Sequence, residues 1–312
     1  MKDNAKAMVL ASFAADSLAL GAHWIYDTDQ IAATFKRVET FQKPGANSYH
    51  STKTAGEFTH YGDQMLVLLE SLAACRGFEL KHFAVLWQKQ QQHYTGYVDH
   101  ATRSTLSNFK DGMTLEPVGS ESTDLGGAAR MAPLAYAYRN DCKELSKSAG
   151  IQTAMTHNHI LVTESAVFFS AVVFRILQGE SPVAAIEATT ASLFNREPFQ
   201  AWVKKGIESR TSDTIAAVKR FGQMCEINAA FPGVIHLVAR YEDNLQQALI
   251  ENVMAGGDSA ARGMITGMLL GAHQGFAAIP ESWLTELSAR EKIISLLADI
   301  DASEPSAGGP ES

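Results

Sequence analysis

Hydrophobic positions recur at helical spacing along almost the whole chain, and no convincing run alternates with the period of a strand. Residues 5–21 are rich in Ala, Leu and Val with few surface-type side chains, which predicts a central helix. Further helices are predicted over 65–74, 80–94, 99–108, 160–177, 182–193, 214–223, 234–241 and 244–254. The last strong pattern begins at Gly256-Gly257, where Asp258 stands in the N-cap position. Gly263, Gly267, Gly271 and Gly275 then recur every fourth residue, along one face of a helix. Each interior Gly costs about 1 kcal/mol relative to Ala. That cost predicts a helix whose bare strip lets another helix or a ligand reach its backbone. The run is too short to cross a membrane and ends in His273-Gln274, while Glu164 and Arg175 interrupt the apolar stretch 160–177.

The segments between helices hold most of the candidate chemistry. Residues 27–59 lose periodicity and form a long loop of the kind that is often functional. It closes on Gly56-Glu57-Phe58-Thr59-His60-Tyr61-Gly62-Asp63-Gln64, so Asp63 repeats the order of glycine, carboxylate and apolar helix found at Asp258. A second loop, 112–124, leads into Gly126-Gly127, whose N–H groups can face an anion with Arg130 nearby. Asp16 lies within the first helix and His23 follows seven residues on, near the same face. A buried Asp needs partners, either local backbone ends or a site. His157 and His159 are two apart and diverge on a helix, which reads as polar loop rather than zinc site. The fold class is all-α, as one domain over 1–302. Residues 303–312, rich in Gly, Pro, Ser and Glu, read as a disordered tail.

Composition narrows the function. With 312 residues, 46% of them hydrophobic and 19% charged, the chain can bury a large core. A net charge of −8, a pI near 5.7 and no Lys/Arg cluster exclude a nucleic-acid-binding face. Cys75, Cys142 and Cys225 are odd in number and far apart, so neither a disulfide framework nor a CxxC metal site is indicated. Lys2 and Lys6 before residues 8–15 imitate a signal peptide, but Asp16 interrupts it and the run continues as helix; a cytoplasmic protein is expected.

Five short motifs in order resemble the ADP-ribosylglycohydrolase family, which includes the dinitrogenase-reductase-activating glycohydrolases and the J-type crystallins. Asp16-Ser17-Leu18 is similar to that family's Gly-Asp-Ala-Leu, and Tyr61-Gly62-Asp63-Gln64 stands at its Thr-Asp-Asp-Thr. Residues 126–134 resemble its Gly-rich, Arg-containing segment, Thr156-His157 its Thr-His, and Gly256-Gly257-Asp258-Ser259-Ala260-Ala261 its Gly-Gly-Asp-Thr-Asp-Thr. The resemblance spans most of the chain. It implies an orthogonal helical bundle that hydrolyses a glycosidic bond of ADP-ribose, on a small molecule or an ADP-ribosylated protein, with no nucleic acid and no membrane as partner. It also implies two Mg²⁺ ions between the two acidic motifs, with a further Glu near the first helix.

Here the acidic motifs are depleted. Gly62 and Ala260 stand at carboxylate positions, Tyr61 and Ala261 at Thr positions, and His23 roughly where the Glu belongs. Mg²⁺ wants six oxygen ligands, so Asp63, Asp258 and Ser259 are expected to hold at most one ion, weakly. The expected site has Asp63 and Asp258 facing one cleft, either one as general base, with His23 or His60 as proton donor or orienter. Tyr61, Gln64, Gly126, Gly127, Arg130 and His157 are its candidate substrate-binding groups. The alternative is a non-catalytic ligand-binding or structural protein of the same fold.

Overall fold

A computed structural model describes residues 2–116 and 118–302, so the tail expected at 303–312 lies outside the described residues. The helices in chain order are α1 (Lys2–Leu20), α2 (Thr28–Phe35), α3 (His60–Cys75), α4 (Leu80–Gln92), α5 (His100–Lys110), α6 (Gly126–Ala129), α7 (Ala132–Ala137), α8 (Cys142–Ala154) and α9 (Ile160–Leu177). They continue as α10 (Pro182–Leu193), α11 (Phe199–Glu208), α12 (Thr214–Phe221), α13 (Ile227–Arg240), α14 (Leu245–Met254), α15 (Ser259–Gln274), α16 (Glu281–Glu286) and α17 (Arg290–Asp301). Among the described residues there is no strand, only isolated bridges pairing Ser120 with His157 and Asp124 with Glu226. The all-α expectation holds.

The middle of the bundle is α1 against α15. A Cβ added at Gly267 would lie 2.6 Å from the Ala11 carbonyl oxygen, and one at Gly271 would lie 2.7 Å from Ala11 Cβ. Only glycine lets the two backbones approach this far, which accounts for the stripe. Gly275 plays a different part: at φ 71° it ends the helix. Around this pair the core runs unbroken through Phe13, Leu68, Phe169, Phe231 and Leu269. Helix α9 is long and apolar enough to span a membrane, with mean hydropathy 2.0, and it packs against α8, α10 and α15.

Two kinds of element escape the hydrophobic pattern. The segment 27–59 is not all loop, since α2 lies within it, capped by Asp27, whose carboxylate accepts the Asp29 N–H at 2.9 Å. That helix buries only Thr28 and Ile31, too few positions for a period to show. Helix α8 buries Ser148, Gln152 and Thr153 beside Leu145 and Ala149, so its inner face is largely polar.

Candidate active site

The site is built where α1 ends and α15 begins. The chain leaves α1 through Trp24, held at φ 65°, and a reciprocal backbone pair joins it to the turn before α15: Trp24 N–H donates to the Gly257 carbonyl at 2.9 Å, and Gly257 N–H to that of Ile25 at 2.8 Å. A left-handed backbone at a bulky residue such as Trp24 is strained. Gly257 has φ 66°, and a Cβ there would lie 2.1 Å from the Gln223 carbonyl oxygen, so the turn requires glycine twice over. Buried Arg262 ties this turn down. Its guanidinium donates to Gly256 O at 2.6 Å and to Asn252 Oδ1 at 3.2 Å rather than pairing with Asp258.

Asp258 is the N-cap of α15, as the sequence predicts, and accepts the Ala261 N–H at 3.1 Å. It does more than cap. The same Oδ1 lies 3.1 Å from His23 Nε2, and Oδ2 accepts the Tyr61 hydroxyl at 3.0 Å. Burial alone would raise its pKa, but His23, the Ala261 N–H and the Arg262 charge hold it well below the usual carboxylate range. Burial pushes the His23 pKa down, against the pull of the Asp258 charge. Its Nδ1 lies 2.8 Å from His50 Nε2; burial pushes the His50 pKa down as well, and His50 Nδ1 has no hydrogen-bond partner. His23 thus lies against Asp258.

Tyr61 also reaches a residue that sequence reasoning missed. Its hydroxyl lies 3.1 Å from Asp124 Oδ2, so one phenol bridges two carboxylates. Asp124 is partly buried and accepts the Gly126 N–H at 2.6 Å. Burial, then the charges of Asp258 and Asp99, push its pKa up to about 7. Cys225 joins the pair; single ligand atoms of Asp124, Cys225 and Asp258 all lie within 4.8 Å of one another. The Asp124–Glu226 bridge and the Leu125 N–H to Cys225 O bond at 2.9 Å bring the two loops together. The available clue was a carboxylate beside a glycine pair, here two residues before Gly126-Gly127, where Asp258 directly follows Gly256-Gly257.

The start of α3 differs from expectation. Thr59, not Asp63, is its N-cap, accepting the Tyr61 N–H at 3.1 Å. Asp16 holds that cap, accepting the Thr59 N–H at 2.8 Å and its hydroxyl at 2.5 Å, while burial lifts the Asp16 pKa to about 7. So Asp16 ties α1 to α3. Asp63 sits one turn further on, where its Oδ2 accepts from Lys53 Nζ and the Tyr94 hydroxyl, each at 2.5 Å. It borders a groove with Glu70, Lys89 and His93, and shares no hydrogen-bond partner with Asp258. Asp63 and Asp258 are expected to face one cleft; in the fold it is Asp124 that Tyr61 joins to Asp258, while Asp63 is bonded to Lys53 and Tyr94. His60 faces Asp99, the cap of α5, at 3.2 Å. Burial opposes both charges, yet their pairing prevails, holding His60 up and Asp99 well down.

The remaining candidates are struts. Gln64 Oε1 accepts the Trp87 indole N–H at 2.7 Å and the Arg130 guanidinium, and Arg130 also donates to Thr156. Arg130 is buried, with its two terminal nitrogens bonded to Gln64 and Thr156 and its Nε without a partner. Gly126 and Gly127 make no anion cradle: the Gly126 N–H is taken by Asp124, and Cβ atoms there would lie 2.1 Å from the Tyr61 ring and 2.7 Å from that of His157. These glycines are needed for close packing. His157 is buried, with Nδ1 2.9 Å from the Thr156 hydroxyl. Ser259 Oγ is buried without a hydrogen-bond partner. Over the buried histidines lies an aromatic rim, in which Trp24 meets Tyr49 at 5.2 Å and Tyr97 at 4.9 Å, each edge-on, and Tyr49 is 62% exposed.

This is a helical bundle whose chain ends meet in a buried carboxylate centre. Residues 1–308 match the family model described as ADP-ribosylglycohydrolase, and the chain belongs to that family. Crystallin J1A of Tripedalia cystophora is 25% identical over 94% of each chain. The ADP-ribosyl-[dinitrogen reductase] glycohydrolase of Rhodospirillum rubrum is 26% identical over 75% of each. The fold matches a solved structure titled ADP-ribosylglycohydrolase-related protein complex with a TM-score of 0.73 at 22% identity, covering 97% of this chain and 98% of that one.

The paired Mg²⁺ ions that the family resemblance implies do not fit these side chains. A Cβ at Gly62 would lie 2.4 Å from Asp16 Oδ2, so no carboxylate can be carried there. Lys53 already neutralises Asp63, and Ala260 offers no donor. Asp124, Cys225 and Asp258 are the group that can hold one ion, and a thiol in that set suits a softer metal than Mg²⁺.

Proposed function

We propose that the protein hydrolyses a glycosidic bond of an ADP-ribosyl or related nucleoside-type substrate, with Asp124 and Asp258 as its working carboxylates. The observation that carries this reading is the Tyr61 hydroxyl bridging the two at 3.1 and 3.0 Å while their proton affinities are driven apart. Two carboxylates in one site, one protonated and one ionised near neutral pH, are what glycoside cleavage requires. Asp124, with partial access to solvent, donates its proton to the leaving atom. Asp258 keeps its charge and stabilises the positive charge that develops on the sugar. Water then attacks the anomeric carbon and returns a proton to Asp124, which restores the starting state. His23 and His50 fix the orientation of Asp258, and Tyr61 sets the spacing of the pair.

The test is release of ADP-ribose from arginine- and serine-linked ADP-ribosyl peptides. Asp124→Asn should lower the rate by about 10²–10⁴, the usual worth of a general acid. Full activity in that variant would sink the proposal. A second reading, a ligand-binding or structural protein, is favoured by the near full-length match to a crystallin; binding of ADP-ribose without release, or neither, would support it.

A further inference from the structure

We infer that this chain serves its second acidic position with a cation of its own, the Lys53 ammonium, in place of a bound metal ion. Lys53 Nζ lies 2.5 Å from Asp63 Oδ2, and the two side chains are only 14% and 15% exposed. The ammonium is fixed in place. It sits 5.6 Å from the Tyr94 ring centroid, and the Tyr94 hydroxyl donates to the same Asp63 oxygen at 2.5 Å. Behind it, the Lys53 N–H is bonded to the His50 carbonyl at 2.9 Å, so the lysine and the histidine that supports His23 share one loop. The neighbouring space is closed from the other side, because Asp16 fills the room that a side chain at position 62 would need. A dication beside Asp63 would face a fixed positive charge at contact range, and the neighbouring Asp16 carboxylate is already taken up by the Thr59 N–H and hydroxyl.

This inference does not rest on the hydrolase reading, and its test measures stability and metal binding alone. Any shift in melting temperature caused by millimolar Mg²⁺ or Mn²⁺, beyond that of NaCl at equal ionic strength, should be the same in the wild type and in Asp63→Asn. Calorimetry with MgCl₂ should show no saturable binding that Asp63→Asn abolishes. Lys53→Met should lower the melting temperature by roughly 5–10 °C, as expected when one partner of a mostly buried pair is removed. Lys53→Arg should retain it, and the double variant Lys53→Met, Asp63→Asn should recover most of the loss, since neither charge is then left alone. Saturable Mg²⁺ binding by the wild type that Asp63→Asn abolishes would overturn the inference. So would a Lys53→Met protein as stable as the wild type, or a double variant no more stable than Lys53→Met.

Discussion

The starts of α3 and α15 look alike in sequence: a glycine, a carboxylate and an apolar helix. Folded, they differ in what the carboxylate does. Asp258 occupies the N-cap itself, with both oxygens engaged and its charge held between His23 and Tyr61. Asp63 lies inside the first turn of α3, because Thr59 takes the cap and Asp16 holds Thr59. With that offset Asp63 is bonded to Lys53 and Tyr94, and it is Tyr61 that reaches Asp258. A few residues of phase on a helix thus separate a site carboxylate from one that is neutralised locally.

The largest test of this contrast is in turnover. Asp258→Asn keeps a good cap but removes the charge that steadies the sugar cation and holds the proton on Asp124. The rate should fall by about 10²–10³. Asp63→Asn should change it by less than about tenfold, measured well below either melting temperature. Equal losses in the two variants would erase the distinction.

Next in size are the glycines beside each carboxylate. Gly257→Ala adds a left-handed backbone penalty to a clash with the Gln223 carbonyl, and should cost about 3–5 kcal/mol by denaturant unfolding. Gly62→Ala keeps helical φ and meets side chains only, the Asp16 carboxylate and the Phe58 Cβ, so about 1–3 kcal/mol is expected. A reversed order would show that the α3 start is the more tightly built.

The smallest effect is in pH dependence, where the two regions have opposite signs. The Asp16 pKa is raised to about 7 in the fold, so folding takes up a proton there. Its contribution is complete below the unfolded value near 4 and is lost as pH rises towards 7. The Asp258 pKa is depressed, so its contribution is present above about 4 and is lost only as pH falls below that. Between about pH 4 and 7, Asp16→Asn should therefore show a flatter loss of stability with rising pH than the wild type. An unchanged slope would remove Asp16 from the account.

The helices that pack on apolar faces were legible in the chain, as was the cap at Asp258. The glycine stripe also announced a close approach to the α15 backbone, though not that α1 makes it. What stayed hidden shared one cause: it depends on long-range pairing of polar residues. Asp124, Cys225, Asp99, His50 and Lys53 have no periodicity and lie in or beside loops, so nothing local distinguishes them from ordinary surface groups. Arg130 and Gly126-Gly127 misled in the opposite direction. An arginine beside a glycine pair resembles an anion cradle until Gln64, Thr156, Tyr61 and His157 are seen to fill the space.

The pairing of α1 with α15 also bears on how the chain is made. His23 and Asp258 are 235 residues apart, so α1 leaves the ribosome long before the helix it belongs beside. At about 5–20 residues per second, α1 waits roughly 10–50 s for its partner. During that interval its Ala- and Leu-rich surface has no lasting cover, and such non-local contacts also slow folding once the chain is released. A nascent chain of this design needs shelter for its opening segment, and one truncated before α15 would have neither a centre nor a site.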